Sequence, residues 1–210
     1  MCDTMTVRVK ICGITTVEDA LMAEEAGADA IGLVLYRHSR RYVDLQQAIK
    51  IKQVLSRDTL CVALVVNEER DFVNQVINHL KPSFVQFHGD ESPDFCHQFN
   101  YPFIRAIRMR EGLDVAHEVA QYKPMGGFLF DAWHADQYGG TGEQFDWQRL
   151  PLQRKFSLIL AGGLNPDNVA QAVVAVNPEM VDVSGGVEQN PGNKDPLLVA
   201  SFIENAKSVS

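Results

Sequence analysis

A strand-like apolar run followed by a helix-like stretch occurs eight times in succession along the 210-residue chain, with no element left over. The segment VRVKIC (7–12) leads into TTVEDALMAEEAG (15–27), where Ala20, Leu21, Ala23 and Glu24 carry a helical pattern that stops at Gly27. The order then repeats as DAIGLVLY (29–36) and DLQQAIKIKQVL (44–55), LCVALVV (60–66) and ERDFVNQVINHL (69–80), SFVQFH (83–88) and SPDFCHQF (92–99). The second half continues with PFIRAI (102–107) and GLDVAHEVAQYK (112–123), then GGFLFD (126–131) and the short DWQRL (146–150). FSLILA (156–161) with NPDNVAQAVVAV (165–176), and MVDVS (180–184) with DPLLVASFIENAK (195–207), complete the series.

Strands separated by helices lie parallel, because each helix carries the chain back to the start of the next strand. Eight such units predict an α/β fold: one (β/α)8 TIM-barrel domain over residues 1–210, with 1–6 as an N-terminal tail. The alternative is an open doubly wound sheet, which commonly has about six strands and a glycine-rich G-x-G-x-x-G turn after the first. No such turn follows VRVKIC. At 210 residues the chain is shorter than the ~250 typical of the barrel, so its helices and loops must be compact.

A 46% hydrophobic content supports one sizeable core. The formal charge of −8, without any Lys/Arg run, argues against a nucleic acid or an anionic membrane as partner. No stretch of about 18 apolar residues or signal-peptide core is present, and a cytoplasmic location is expected. Cys2, Cys12, Cys61 and Cys96 share no metal-ligand spacing and are expected as free thiols.

Alternation along a strand puts Arg8, Lys10 and Cys12 on one face and Val7, Val9 and Ile11 on the other. With the apolar set against the helices, Cys12 faces the barrel interior at the C-terminal end of its strand. The same parity places His88 with Gln86, Asp131 with Leu129, and Ser184 with Asp182. A thiol, an imidazole, a carboxyl and a hydroxyl then converge at the end where barrel enzymes carry their chemistry. Each residue also has a plainer reading: a packed cysteine, a satisfied structural histidine. Asp131 is the least easily dismissed, since it ends a wholly apolar run where a lone carboxylate is costly to bury. His134 and Asp136 give two metal-ligand types on one loop, but without a third no metal is expected.

Two glycine clusters follow the last two strands, AGGLNPDNV (161–169) and SGGVEQNPGNKD (184–195). Glycine lets backbone N–H groups approach an anion, and this is the usual phosphate position of the barrel. Asn165-Pro166 also reads as a helix start, which would make Gly163 a simple strand-to-helix turn. A third cluster, YGGTGEQFDW (138–147), lacks the ending of a nucleotide P-loop and reads as a lid.

The segments KICGIT, SRRYV (39–43), VQFHG (85–89), YGGTG, LAGGLNPDNV and VDVSGGVE, in this order, resemble phosphoribosylanthranilate isomerase. The resemblance implies an Amadori rearrangement of N-(5-phosphoribosyl)anthranilate to the carboxyphenylamino-deoxyribulose phosphate, the third step from chorismate toward tryptophan, without a cofactor. It implies Cys12 as general base and Asp131 as general acid. Arg41 would meet the anthranilate carboxylate, and Gly162, Gly163, Ser184, Gly185 and Gly186 the phosphate. His88 and Asp182 complete the expected substrate-binding set. The chain departs from the family pattern in YRHSRRYV, which lacks a proline, and at Gly185, where a serine is usual.

The reaction needs a proton delivered to the ribose ring oxygen and another removed from C2′, so an acid and a base on different strands suit it. Lys10 on the thiol's face is expected to favour the thiolate. Asp131 is expected to be kept protonated by burial beside Phe128 and Phe130 or by the substrate's charge. A sugar-phosphate epimerase, an indole-glycerol-phosphate synthase and a non-catalytic phospho-ligand barrel remain alternatives. A monomer or a homodimer is expected.

Overall fold

The structure, a computed structural model, describes residues 6–132, 145–151 and 153–209. Eight parallel strands close into a barrel in sequential order. They are β1 (Arg8–Cys12), β2 (Ala30–Val34), β3 (Leu60–Val65), β4 (Phe84–Phe87), β5 (Phe103–Arg108), β6 (Phe128–Asp131), β7 (Leu158–Leu160) and β8 (Met180–Val183). The connecting helices are α1 (Val17–Glu25), α2 (Leu45–Val54), α3 (Arg70–Gln75), α4 (Pro93–His97), α5 (Val115–Ala120), α6 (Val169–Val176) and α7 (Pro196–Lys207). Among the described residues no helix is long and apolar enough to cross a membrane.

Several connecting elements are short: among the described residues of the sixth connection there is one 3-10 turn, Trp147–Arg149, and α3 runs into a π-turn at Val76–Leu80 that ends on Lys81 in the left-handed region. Helix starts follow local chemistry. Thr16 accepts the Asp19 N–H at 3.0 Å, Asp44 that of Gln47, Ser92 that of Phe95, and Asp195 those of Leu197 and Leu198. α6 starts later than Asn165-Pro166 predicts, at Val169, because Asn165 and Asn168 fold the intervening residues into a turn of their own.

The parity read from the sequence holds around the barrel. Val7, Val9 and Ile11 lie in the large outer core with the helices. Inside, Ala30, Val62, Ile104, Ala106, Leu129, Ile159, Ala161 and Met180 form a separate apolar floor. Polar side chains begin above that floor. Lys10 and Asp182 are partners in the β1–β8 register, and Lys10 Nζ donates to Asp182 Oδ1 at 2.9 Å with the lysine wholly buried. Burial opposes the ammonium charge, but Asp182 and the nearby Cys12 outweigh it and hold the Lys10 pKa above its ordinary value. The barrel is therefore closed by a charge pair at the seam between its first and last strands.

One side of this pair cannot be removed without stranding the other. Lys10→Met should lower unfolding free energy by roughly 3–5 kcal/mol in chemical denaturation, and Lys10→Met with Asp182→Leu should recover most of that loss. A single variant as stable as wild type would show that the seam does not depend on the pair.

Candidate active site

The side chains expected to converge do so at the C-terminal mouth. Cys12 ends β1, His88 follows β4, Asp131 ends β6, Asp182 lies in β8 and Ser184 follows it. Cys12, His88, Asp131 and Asp182 are each at least nine-tenths buried. Behind Cys12 the chain turns through Gly13 at φ +76°, and its neighbour across the sheet is Gly32. A methyl group on Gly32 would stand 2.7 Å from the Cys12 sulfur, so the thiol occupies space that a β2 side chain would otherwise fill.

Cys12 is not a ready thiolate. Burial pushes its pKa up, and that effect prevails although Lys10 and Lys194 draw it down, because Asp182 adds a second upward influence. Lys10 does favour the anion, as expected, but burial and Asp182 together outweigh it.

Asp131 stands between two N–H groups. Its Oδ1 accepts from Ala132 N at 2.9 Å and its Oδ2 lies 3.2 Å from His88 Nε2, while His88 Nδ1 lies 2.8 Å from Gln86 Nε2. The expectation that Phe128 and Phe130 bury it is corrected. Both rings point to the opposite face, where they pack on Phe156, with centroids 5.1 and 6.1 Å away. Asp131 is buried instead inside the barrel, above Leu129.

The two glycine clusters form one cavity. About 180 Å³ is enclosed by Asp131, Ala161 to Asn165 and Asp182 to Gly186. Gly162 and Gly163 have φ of +84° and +65°, and Gly185 opens a 3-10 turn, Gly185–Val187, whose first amides have no earlier carbonyl within the turn. Gly186 touches the Leu164 carbonyl so closely that any side chain would collide with it.

Arg41 lies on the β2–α2 loop. Its Nε and Nη2 donate to Glu188 Oε1 and Oε2 at 2.8 and 2.7 Å, a two-bond clamp. Lys194, wholly buried, donates to Glu188 Oε1 at 2.7 Å and to the Ser184 carbonyl at 3.1 Å. Burial lowers the Lys194 pKa despite the carboxylate. Burial raises that of Glu188, but Arg41 and Lys194 together bring it below its usual range. Glu188 and Lys194 come from a hairpin, β9 (Glu188–Asn190) and β10 (Asn193–Lys194), that was not foreseen from the glycine cluster. Pro191 and Gly192, the latter at φ +88°, were the available signal for its turn. Gly32, Glu188 and Lys194 are the participants that motif reading missed; Gln86 was placed beside His88 by parity but given no role. His134, Asp136 and the 138–142 segment lie outside the described residues. Among the described residues no group of three His, Cys, Asp or Glu side chains is arranged to hold a metal ion.

Comparison with known proteins gives this geometry its context. The family model for N-(5'-phosphoribosyl)anthranilate isomerase matches residues 9–205. The Neisseria gonorrhoeae protein of that name is 46% identical over 204 residues, 97% of this chain and 98% of its own. The crystal structure of phosphoribosyl anthranilate isomerase from Thermotoga maritima superposes with a TM-score of 0.84 at 36% identity, covering 96% of this chain and 99% of that one. A crystal structure of a phosphoribosyl anthranilate isomerase in complex with reduced 1-(o-carboxyphenylamino)-1-deoxyribulose 5-phosphate gives a TM-score of 0.81 at 36% identity, covering 96% of this chain and 99% of that one. With a closed barrel, a thiol at the end of β1 and a carboxyl at the end of β6, and matches over nearly the full length, the chain belongs to the N-(5'-phosphoribosyl)anthranilate isomerase family.

Proposed function

We propose that the family's isomerisation is carried in this chain by Cys12 as base and Asp131 as acid, on a substrate anchored at both ends. The observation that carries the reading is their placement: a thiol on β1 and a carboxyl on β6, both buried at one mouth beside a glycine-lined cavity. Asp131 protonates the ribose ring oxygen as the C1′–O bond breaks and the anthranilate nitrogen shares its electron pair. Cys12 then removes the C2′ proton, leaving an enolamine that rearranges to the ketose.

The phosphate fits the cavity between Gly162-Gly163 and Ser184 to Gly186, where backbone N–H groups meet it without a lysine. At the other end, Arg41 keeps Nη1 and one hydrogen of Nη2 beyond its clamp on Glu188, so its remaining donors suit the anthranilate carboxylate. Because burial raises the thiol pKa, Cys12 first gives its proton to solvent; Lys10 and Lys194 favour the resulting thiolate, which then accepts the C2′ proton.

The assay follows loss of phosphoribosylanthranilate fluorescence with substrate made in situ. Cys12→Ala and Asp131→Asn should each lower kcat by roughly 10²–10⁴ with KM little changed, and wild-type turnover in either would move that role to another residue. Arg41→Ala should raise KM through the loss of a charge-assisted pair, so an unchanged KM would free the carboxylate from Arg41. Gly32→Ala should displace the thiol: a loss of kcat with roughly 1–3 kcal/mol of stability is expected, whereas full activity would mean the sulfur's position is not limiting.

A further inference from the structure

Glu188 takes no part in the proton transfers, yet its carboxylate is a meeting point at the mouth, with its side chain only 4% exposed. Arg41 Nε, Lys194 Nζ and Gly192 N donate to Oε1 at 2.8, 2.7 and 3.2 Å, and Arg41 Nη2 donates to Oε2 at 2.7 Å. The two cations keep it ionised in spite of its burial. The hairpin that carries it is itself tied down, since Thr15 Oγ1 donates to the Gly192 carbonyl at 2.6 Å and the Lys194 amide to Asp19 Oδ2 at 3.4 Å. The carboxylate is a fixed point.

Arg41 is held from the other side as well. A methyl group on Gly13 would stand 2.4 Å from Arg41 Cδ and 2.9 Å from Ser184 Oγ, so the arginine stem crosses bare backbone beside Cys12. A guanidinium is planar and its N–H groups form a rigid fork. With the Nε–Nη2 edge taken by Glu188, a second carboxylate meets the Nη1–Nη2 edge in the same plane. The clamp therefore decides which edge is offered and where it points.

We propose that Glu188 is a positioning residue that makes Arg41 selective for a carboxylate ortho to the amino nitrogen of the substrate. The proposal rests on the reading of Arg41 as the carboxylate anchor. Charge alone does not tell ring isomers apart, because a mobile cation follows a carboxylate to the ortho or the para position at similar cost. A fixed fork does tell them apart. With the phosphate in the glycine cavity and C2′ at the thiol, the aryl ring has little freedom left, and the ortho carbon is the one beside the nitrogen that joins ring to ribose. A clamped guanidinium next to Cys12 meets a carboxylate there, and a para carboxylate is carried to the far side of the ring, away from the offered edge.

Reductive amination of ribose 5-phosphate with 2-aminobenzoate or 4-aminobenzoate gives two stable ligands that differ only in the place of the carboxylate. Their dissociation constants are measured by calorimetry on the full-length protein and its variants, and wild type should prefer the ortho ligand. Glu188→Asp keeps the negative charge that buried Lys194 needs, but, one methylene shorter, it cannot reach both Arg41 nitrogens. It should weaken the ortho ligand about 10–100-fold and change the para ligand less than about threefold. Adding Glu188→Asp to Arg41→Ala should leave the ortho-to-para ratio of Arg41→Ala unchanged, because the two residues act as one unit. Equal losses for both ligands in Glu188→Asp, as a merely structural role requires, would overturn the proposal. So would a wild-type ratio in Glu188→Asp alongside a lost one in Arg41→Ala. A wild-type ratio in Arg41→Ala would instead overturn the reading of Arg41 as the carboxylate anchor.

Discussion

The Lys10–Asp182 pair is the interaction on which both the barrel and its chemistry depend. A wholly buried ammonium exists only because a carboxylate stands 2.9 Å away on the strand that closes the ring. The pair thereby fixes the β1–β8 register, since a slip of one residue would send Lys10 to the outer core. It also sets the electrostatics of the neighbouring thiol. Burial pushes the Cys12 pKa up and Lys10 draws it down, while Asp182 opposes the lysine and adds to the upward shift. The two residues that meet at the closing seam thus also act, in opposite directions, on the neighbouring thiol.

What could be read from the sequence was whatever depends on period. Alternation along β1, β4, β6 and β8 told their inward faces, and with them Cys12, His88, Asp131 and Ser184 at one mouth. The glycine clusters after β7 and β8 were visible as composition, and the cavity they share is in the structure. Partnerships across the mouth were not visible, because they join residues 147 positions apart in the case of Arg41 and Glu188, and 43 in the case of His88 and Asp131. Phe128 and Phe130 were misplaced as neighbours of Asp131 for a simpler reason: adjacency in sequence is opposition in a strand.

The hairpin after β8 reorganises how the mouth is built. Glu188 and Lys194 tie the β2–α2 loop, through Arg41, to the backbone carbonyl of Ser184 at the rim of the glycine cavity. The Arg41 guanidinium and the rim of the glycine cavity are therefore tied together through one carboxylate and Lys194. Groups held in place before a ligand arrives reduce the ordering cost of binding it.

The contact of Gly186 with the Leu164 carbonyl has a further consequence. Because the loops after β7 and β8 interlock at that point, an anion held between them bridges two adjacent strands, one of which closes the barrel against β1. Such an anion binds the closed ring and has no equivalent site on the unfolded chain, so occupancy and integrity of the ring are linked by mass action. An anion bound there would stabilise the closed ring to a degree set by its concentration relative to its dissociation constant.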